Sequence, residues 1–467
     1  MAEEGGVGGF SVSHGDSETI NEHQDSRPPP NIVPVPLGSM DGPLSPVAHT
    51  PNPFSRQHTS LDLDDYFMHG SILPKMILPL LFLGAWSTCI TCVSRFTSTS
   101  LGISNTLLTV TGFVVGLGLS FRSSTAYERY AEGRRYWAQL INTSNCLGRV
   151  FWVHAKEREE NRDRDVLAKL TALNLVVAFA VALKHKLRFE PYTDYEDISG
   201  LVSHLDTYAR EATLNDPGRP LGRRYGALKT AGEFLGISFA TSNPRKIIKR
   251  SKRPLGNLPL EIISYLASFT DELIQNGQLA IPMQQTLAYN NIATLNDVLT
   301  GTERVLTTPV PLAYAIAISQ ITWLYVFLLP FQLYSSLGWV TIPASMAGGY
   351  IILGLLFIGR EVENPFGRDV NDLPLEIYCA QIAAEMDLIA SKSKPANRDW
   401  VESLDNKVLW PLSSSGWNVW MHRGESKVRA ALRTKCENSA EGQEKNRSGE
   451  NGKEAKNDNV RVVEENV

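Results

Sequence analysis

The sequence predicts an all-α, multi-pass membrane protein with four transmembrane helices and a helical cytosolic layer. Three observations carry that prediction. Four apolar stretches without a charged residue are each about as long as ~30 Å of bilayer hydrocarbon demands of a helix. Arginines crowd the residues that follow the second and fourth stretches. The long polar sequence between the two pairs is rich in Leu, Ala, Glu and Arg with few β-branched alternations, which is a helical pattern.

Residues 1–60 are rich in Gly, Pro, Ser and acidic residues. Such a segment buries too little apolar surface to fold, so a disordered N-terminal arm is expected. Its profile predicts neither a signal peptide nor a transit peptide. The spans are expected at 76–93 (MILPLLFLGAWSTCITCV), 103–121 (ISNTLLTVTGFVVGLGLSF), 312–331 (with AYAIAISQITWLYVFLLPF) and 341–358 (TIPASMAGGYIILGLLFI). Residues 122–311 supply the helical layer between the pairs. Within it, Leu170–Leu183 (LTALNLVVAFAVAL) is apolar but short and is closely bracketed by Lys169 and Lys184. That pattern predicts a helix buried in the layer rather than a fifth span. The folded core is thus 61–395, followed by an extension at 396–434 and a polar tail at 435–467 that is expected to be disordered.

Charge sets the orientation. The link between the first two spans carries only Arg95, and the link between the last two carries no basic residue. Arg122, Arg129, Arg134 and Arg135 follow the second span, and Arg360 and Arg368 follow the fourth. Positively charged loops stay inside, so both termini and the helical layer should be cytosolic. The sequence does not specify which membrane.

The second span differs from the others in carrying Thr106, Thr109, Thr111 and Ser120 together with Gly112, Gly116 and Gly118. Small residues of this kind suit close helix packing, but they also suit the wall of a pore. Thr106, Val110 and Val114 recur at a spacing of four and share one helix face. Several copies of that face around an axis would form a narrow, largely apolar constriction of the type that gates by dewetting. One chain cannot enclose a pore, so this reading needs an oligomer. In the following segment, FRSSTAYERYAEGRRYWAQL, a helix would let Tyr127, Tyr130, Trp137 and Leu140 pack while Glu128, Arg129, Glu132 and Arg135 pair or face water.

Other chemistry finds little support. Net charge is −4, so no basic field points to nucleic acid. The five cysteines are too scattered for a disulfide framework, and the Cys89–Cys92 pair lies inside an apolar run. The nine histidines are dispersed, and no metalloprotease, nucleophile-elbow or phosphate-loop motif is present. No enzyme, cofactor or metal site is expected.

Four ordered motifs then carry a resemblance. They are GLGLSFRSSTAYERYAEGRRYW (116–137), TERVLTTPVPLAY (302–314), LPFQLYSSLGW (329–339) and GREVENPFGRDVNDLPLE (359–376). In these the chain resembles the bestrophin family of anion channels, particularly its bacterial, plant and fungal branch, over about residues 60–395. The resemblance implies a homopentamer in the lipid bilayer that passes chloride or other monovalent anions. The second span would line the membrane part of the pore, with its neck at Thr106, Val110 and Val114. A cytosolic aperture would fall at Ile281, before Pro282. Animal members carry a calcium clasp after the same Asn-Pro-Phe-Gly element. Here Arg368 and Val370 stand where acids would be needed, leaving Asp369 and Asp372. Calcium wants six to eight oxygens, several of them charged. Asp369, Asn371 and Asp372 are therefore expected to form a helix-capping turn, with Pro365 ending the fourth helix.

The expected function is a passive anion channel. The alternative is a membrane scaffold or regulator that acts through its cytosolic tails. A proton-coupled transporter is disfavoured, because none of the four spans holds an ionisable group at its centre.

Overall fold

The protein is described from a computed structural model covering residues 70–97, 105–215 and 255–447. The arm at 1–60 and the tail beyond Arg447 lie outside the described residues. Among the described residues the fold is helical throughout, with no strand.

Helix α1 (Leu73–Phe96) opens with Pro74 in its first turn, where a missing N–H costs nothing. Helix α2 runs unbroken from Asn105 to Arg149. Its 45 residues span about 68 Å, enough to cross a bilayer and continue well beyond it. It ends in a π-turn at Val150–His154. Helix α3 (Arg162–Leu187) is followed by the short helices α4 (Glu196–Val202) and α5 (Tyr208–Asn215). Helices α6 (Leu258–Gln275) and α7 (Pro282–Thr307) lead to α8 (Leu312–Leu337) and α9 (Thr341–Glu361). Helix α10 (Leu375–Ala390) closes the body, and α11 (Asn397–Val401), α12 (Trp417–Arg423) and α13 (Glu425–Arg447) form an extension.

The helices pack around two cores. Helices α1, α8, α9 and the first half of α2 form an apolar bundle centred on Met76, Leu83, Val115, Leu119, Val326 and Leu353. The second half of α2 joins α3, α6, α7 and α10 in a larger body centred on Trp137, Phe151, Phe179, Leu266, Leu295 and Phe366. A third, small cluster of Leu409, Trp420 and Ala431 holds the extension together.

Among the described residues, three segments are long and apolar enough to cross a membrane: Leu73–Phe96, Glu159–Leu187 and Leu312–Glu361. The last is two helices, α8 and α9, reversed at Gly338–Val340. The second expected span begins at Ile103, outside the described residues, and its helix starts at Asn105. The segment containing α3 is the most enclosed of the three, with 61% of its most apolar window buried against 28% for Leu312–Glu361. Lys169 and Lys184, which bracket its apolar run, are themselves buried. Lys169 Nζ donates to Ala155 O at 2.6 Å and to Glu157 at 3.0 Å, and Lys184 pairs with Asp197. Paired, hydrogen-bonded ammonium groups are the form in which buried charge is tolerated. Helix α3 is buried in the helical body, as its bracketed run predicts, although by length and hydropathy it also stands among the segments able to cross a membrane.

Two boundaries differ from expectation. Helix α13 continues to Arg447, past the border expected at 435. Its Glu, Lys, Arg and Ala content favours helix, and Arg429 pairs with Glu425 one turn away. Helix α9 ends at Glu361, ahead of Pro365, so that proline follows the helix rather than ending it.

Candidate functional site

Helix α2 divides lengthwise. One face is buried at Val115, Leu119, Arg122 and Ala126, a spacing of three to four that keeps one side against the bundle. The opposite face is open. Val110 is 60% exposed and Val114 49%, with Thr106 also exposed. Phe113 at 72% and Leu117 at 46% widen the same surface. All three residues of the expected neck thus stand on one exposed, uncharged face. Phe113 and Leu117 were missed, although the same helical spacing would have included them.

The two readings of the small residues separate along the same line. A Cβ at Gly112 would stand 3.0 Å from Tyr325 Oη on α8, and one at Gly118 would stand 3.7 Å from Ile318. Those glycines serve packing. A Cβ at Gly116 would meet nothing within 4 Å, so Gly116 belongs to the open side.

Two arginines fix the rotation of α2. Arg122 is buried; its Nη1 donates to Ser319 Oγ at 3.2 Å, and its Nη2 lies 3.6 Å from Glu363 Oε2. Arg129, two turns on, donates to Glu363 O at 3.1 Å, to Val305 O at 2.7 Å and to Thr308 O. Together they bind α2 to the ends of α7, α8 and α9. The segment's other residues partition less simply than expected. Trp137 and Leu140 are buried, Tyr127 is exposed, and Glu132 pairs with Arg304 of α7.

Ile281 sits far along the chain from that face, at a rigid corner. Gly277 adopts φ +70°, a conformation suited to glycine, and turns the chain out of α6. Gln278 exchanges two bonds with the π-turn's exit: its carbonyl accepts from Lys156 N at 2.8 Å and its Nε2 donates to Lys156 O at 3.0 Å. Gln285 Nε2 donates to Leu279 O at 2.8 Å. Leu279 is fully buried while Ile281, two residues on, is 52% exposed. The next residue, Pro282, starts α7, so the exposed side chain is held by anchored backbone on both sides.

The acidic turn does not assemble a cation site. Asp372 Oδ2 accepts from Asp369 N at 2.7 Å, closing its own turn. Asn371 Nδ2 donates to Gly70 O at 3.1 Å and to Glu361 Oε1 at 2.8 Å. Arg368 pairs with Glu190. Burial, then the neighbouring Asp369 and Glu361, push the Asp372 carboxyl up to about 6, while its own Oδ2 is taken by Asp369 N and the adjacent Arg368 brings a positive charge to the turn. These residues do not fit calcium. They do not cap α10 either, since its N-cap is Pro374 with no side-chain bond. The prolyl residue occupies the position where a capping side chain would act. Among the described residues no group of three or more His, Cys, Asp or Glu side chains is arranged for a metal.

The turn instead borders a cleft of about 610 Å³ lined by Lys184, His185, Arg188, Asp197, Arg368 and Glu376, among others. The two ring nitrogens of His185 lie 2.6 Å from Glu190 and 2.8 Å from Asp197, and its ring stacks on Tyr195 at 4.4 Å. Burial works against ionisation of Asp197, but hydrogen bonds from Lys184 and His185 outweigh it and lower its pKa. Arg188 holds Glu376 down to about 2. The network is a structural lock between α3, α4 and the turn before α10.

Comparison with known proteins agrees with this architecture. Residues 55–387 match the family model described as Bacterial/Fungal Bestrophin protein. A Synechocystis protein named as a voltage-dependent anion channel-forming protein is 33% identical over 320 residues, covering 68% of this chain and 88% of its own. An Escherichia coli protein with the same form of name is 27% identical over 328 residues, covering 69% of this chain and 89% of its own. Among solved structures, a mutant of a bacterial bestrophin homolog from Klebsiella pneumoniae superposes with a TM-score of 0.51 at 24% identity, over 69% of this chain and all of that one. That last likeness concerns the fold. On the family match, which takes in every helix from α1 to nearly the end of α10, this chain belongs to the bestrophin family.

Proposed function

We propose that the protein is an anion channel that conducts passively through an oligomeric pore lined by α2. The observation that carries this reading is the charge-free face of α2, with Thr106, Val110, Phe113, Val114 and Leu117 exposed on a helix whose other face is buried. A surface helix in water would place polar residues there. A helix against lipid has no need of Thr106, Thr109 and Gly116 on its open side. A strip of weakly polar and apolar groups suits an ion that must shed part of its water without being trapped by charge. The relatives named as anion channel-forming proteins support the same reading.

In this reading α1, the first half of α2, α8 and α9 are four spans, both termini are cytosolic, and the larger body forms a cytosolic layer. Five subunits surround one axis, with the neck at Thr106, Val110 and Val114 and the inner aperture at Ile281. Purified protein in planar bilayers under a chloride gradient tests it. Currents reversing near the chloride equilibrium potential are expected. Reversal near the cation potential, or silence from well-folded oligomers, overturns it.

A further inference from the structure

Away from the proposed ion pathway, the end of the apolar bundle remote from the helical body holds a nest of buried, uncharged polar groups. Ser87 of α1 is hydrogen-bonded to α9, its Oγ lying 3.5 Å from Thr341 O and 3.3 Å from Ser345 Oγ. Ser345 Oγ in turn donates to Thr341 O at 2.7 Å. Helices α1 and α9 pack antiparallel here, so the next turn of α1 brings Thr91 level with the first turn of α9, where Thr341 stands. On α8, Phe327 O accepts from Trp86 Nε1 at 3.1 Å, and Phe331 stacks edge-on to Trp86 at 6.2 Å. Gln332, the next residue, lies at the same level.

Among the described residues, three buried side chains in this layer have no hydrogen-bond partner. Thr91 is 0% exposed, Thr341 0% and Gln332 1%. Thr91 Oγ1, Thr341 Oγ1 and both amide atoms of Gln332 find no hydrogen-bond partner among the described residues. An unpaired amide in a low-dielectric interior keeps the full penalty of its lost hydration. Inside a bilayer no bulk solvent relieves it. Gln332 offers two donors and an acceptor, and each hydroxyl offers one donor and accepts as well. A water needs two to four such partners, and this layer supplies them from three helices.

We infer that Gln332, Thr91 and Thr341 share an internal water site that ties α1, α8 and α9 together, separate from the ion pathway. An anion is the less suitable occupant. The nearest cation along these helices is Arg95, one turn beyond Thr91, and its side chain is exposed. A desolvated anion among neutral groups alone would be far costlier to hold than a water.

A high-resolution cryo-EM map of the full chain in lipid nanodiscs is the direct test. Density for water is expected within hydrogen-bond reach of the Gln332 amide and at least one of the two threonine hydroxyls, and it should vanish in Gln332→Leu. Gln332 bonded straight to Thr91 or Thr341 with no intervening density overturns the inference. Crystals grown in bromide distinguish the occupant: an anomalous peak at this position overturns the water assignment. Thermal unfolding supplies a second readout. If the groups share one water, the melting shift of Thr91→Ala with Gln332→Leu should be clearly smaller than the sum of the two single shifts. Strict additivity contradicts a shared site.

Discussion

Arg122 Nη1 donates to Ser319 Oγ across 3.2 Å, joining the point where α2 leaves the apolar bundle to the second turn of α8. Because Arg122 lies on the buried face and Val114 two turns earlier on the open one, this bond sets which way the open face looks. Arg122→Met removes the guanidinium and leaves the half-buried Glu363 without its partner. A loss of about 2–4 kcal/mol is expected, read as a lower melting temperature in detergent. Arg122→Lys should recover little, since a single ammonium cannot reproduce the fork that reaches Ser319 and Glu363 together.

Gly112 and Gly116 should respond oppositely to the same change. Gly112→Val drives a side chain into Tyr325 and should cost about 1–3 kcal/mol through overpacking. Gly116→Ala meets open space and should leave stability within about 0.5 kcal/mol, or raise it slightly through helix propensity. Melting curves of the two variants, measured side by side, check the division of α2 into a packed and a free face.

Asp372 and Glu376 should give opposite pH signatures. The folded protein holds the Asp372 proton up to about 6, against 3.8 ordinarily. Its contribution to stability is therefore fully present below 3.8 and is lost as pH rises through about 6. Asp372→Asn should be the more stable form above pH 7, by no more than about 1 kcal/mol given partial exposure, and the advantage should fade below pH 5. Glu376 behaves in the reverse sense, with its carboxyl held at about 2. Its pairing with Arg188 stabilises above 4.5 and fades as pH falls toward 2. Unfolding midpoints of Asp372→Asn between pH 4 and 8 and of Glu376→Gln between pH 2 and 6, each against the wild type, test the two signs.

Much of this was legible in the sequence because burial in a bilayer leaves a coarse signal. Charge-free runs mark α1, α8 and α9, while the run of α3 is no less apolar and only its burial in the helical body sets it apart. The spacing of Thr106, Val110 and Val114 gave the open face of α2. What the sequence hid depends on contacts between distant segments. Nothing local distinguishes Gly112 from Gly116; only Tyr325, more than 200 residues away, does so. Asp372 reads as a cap or ligand until Asp369 N is seen to claim its carboxylate. Gln332 looks like an ordinary end-of-helix residue until its complete burial is known.

Ile281 is presented by anchored backbone, so shortening it should change the pore without unfolding the corner. Ile281→Ala is expected to alter the relative permeability of large and small anions while leaving the melting temperature within a degree or two of the wild type. Bi-ionic reversal potentials with chloride and a larger anion measure the effect. Unchanged ratios would place the aperture elsewhere.

The central claim is that the open face of α2 borders the ion path, and unitary chloride current through Val110→Trp tests it most directly. Ile351→Trp serves as the control, since Ile351 is similarly exposed on α9 but is not on α2. Val110→Trp is expected to cut the unitary current several-fold or abolish it, while Ile351→Trp leaves it near the wild-type value. Undiminished current through a folded Val110→Trp oligomer would contradict the account.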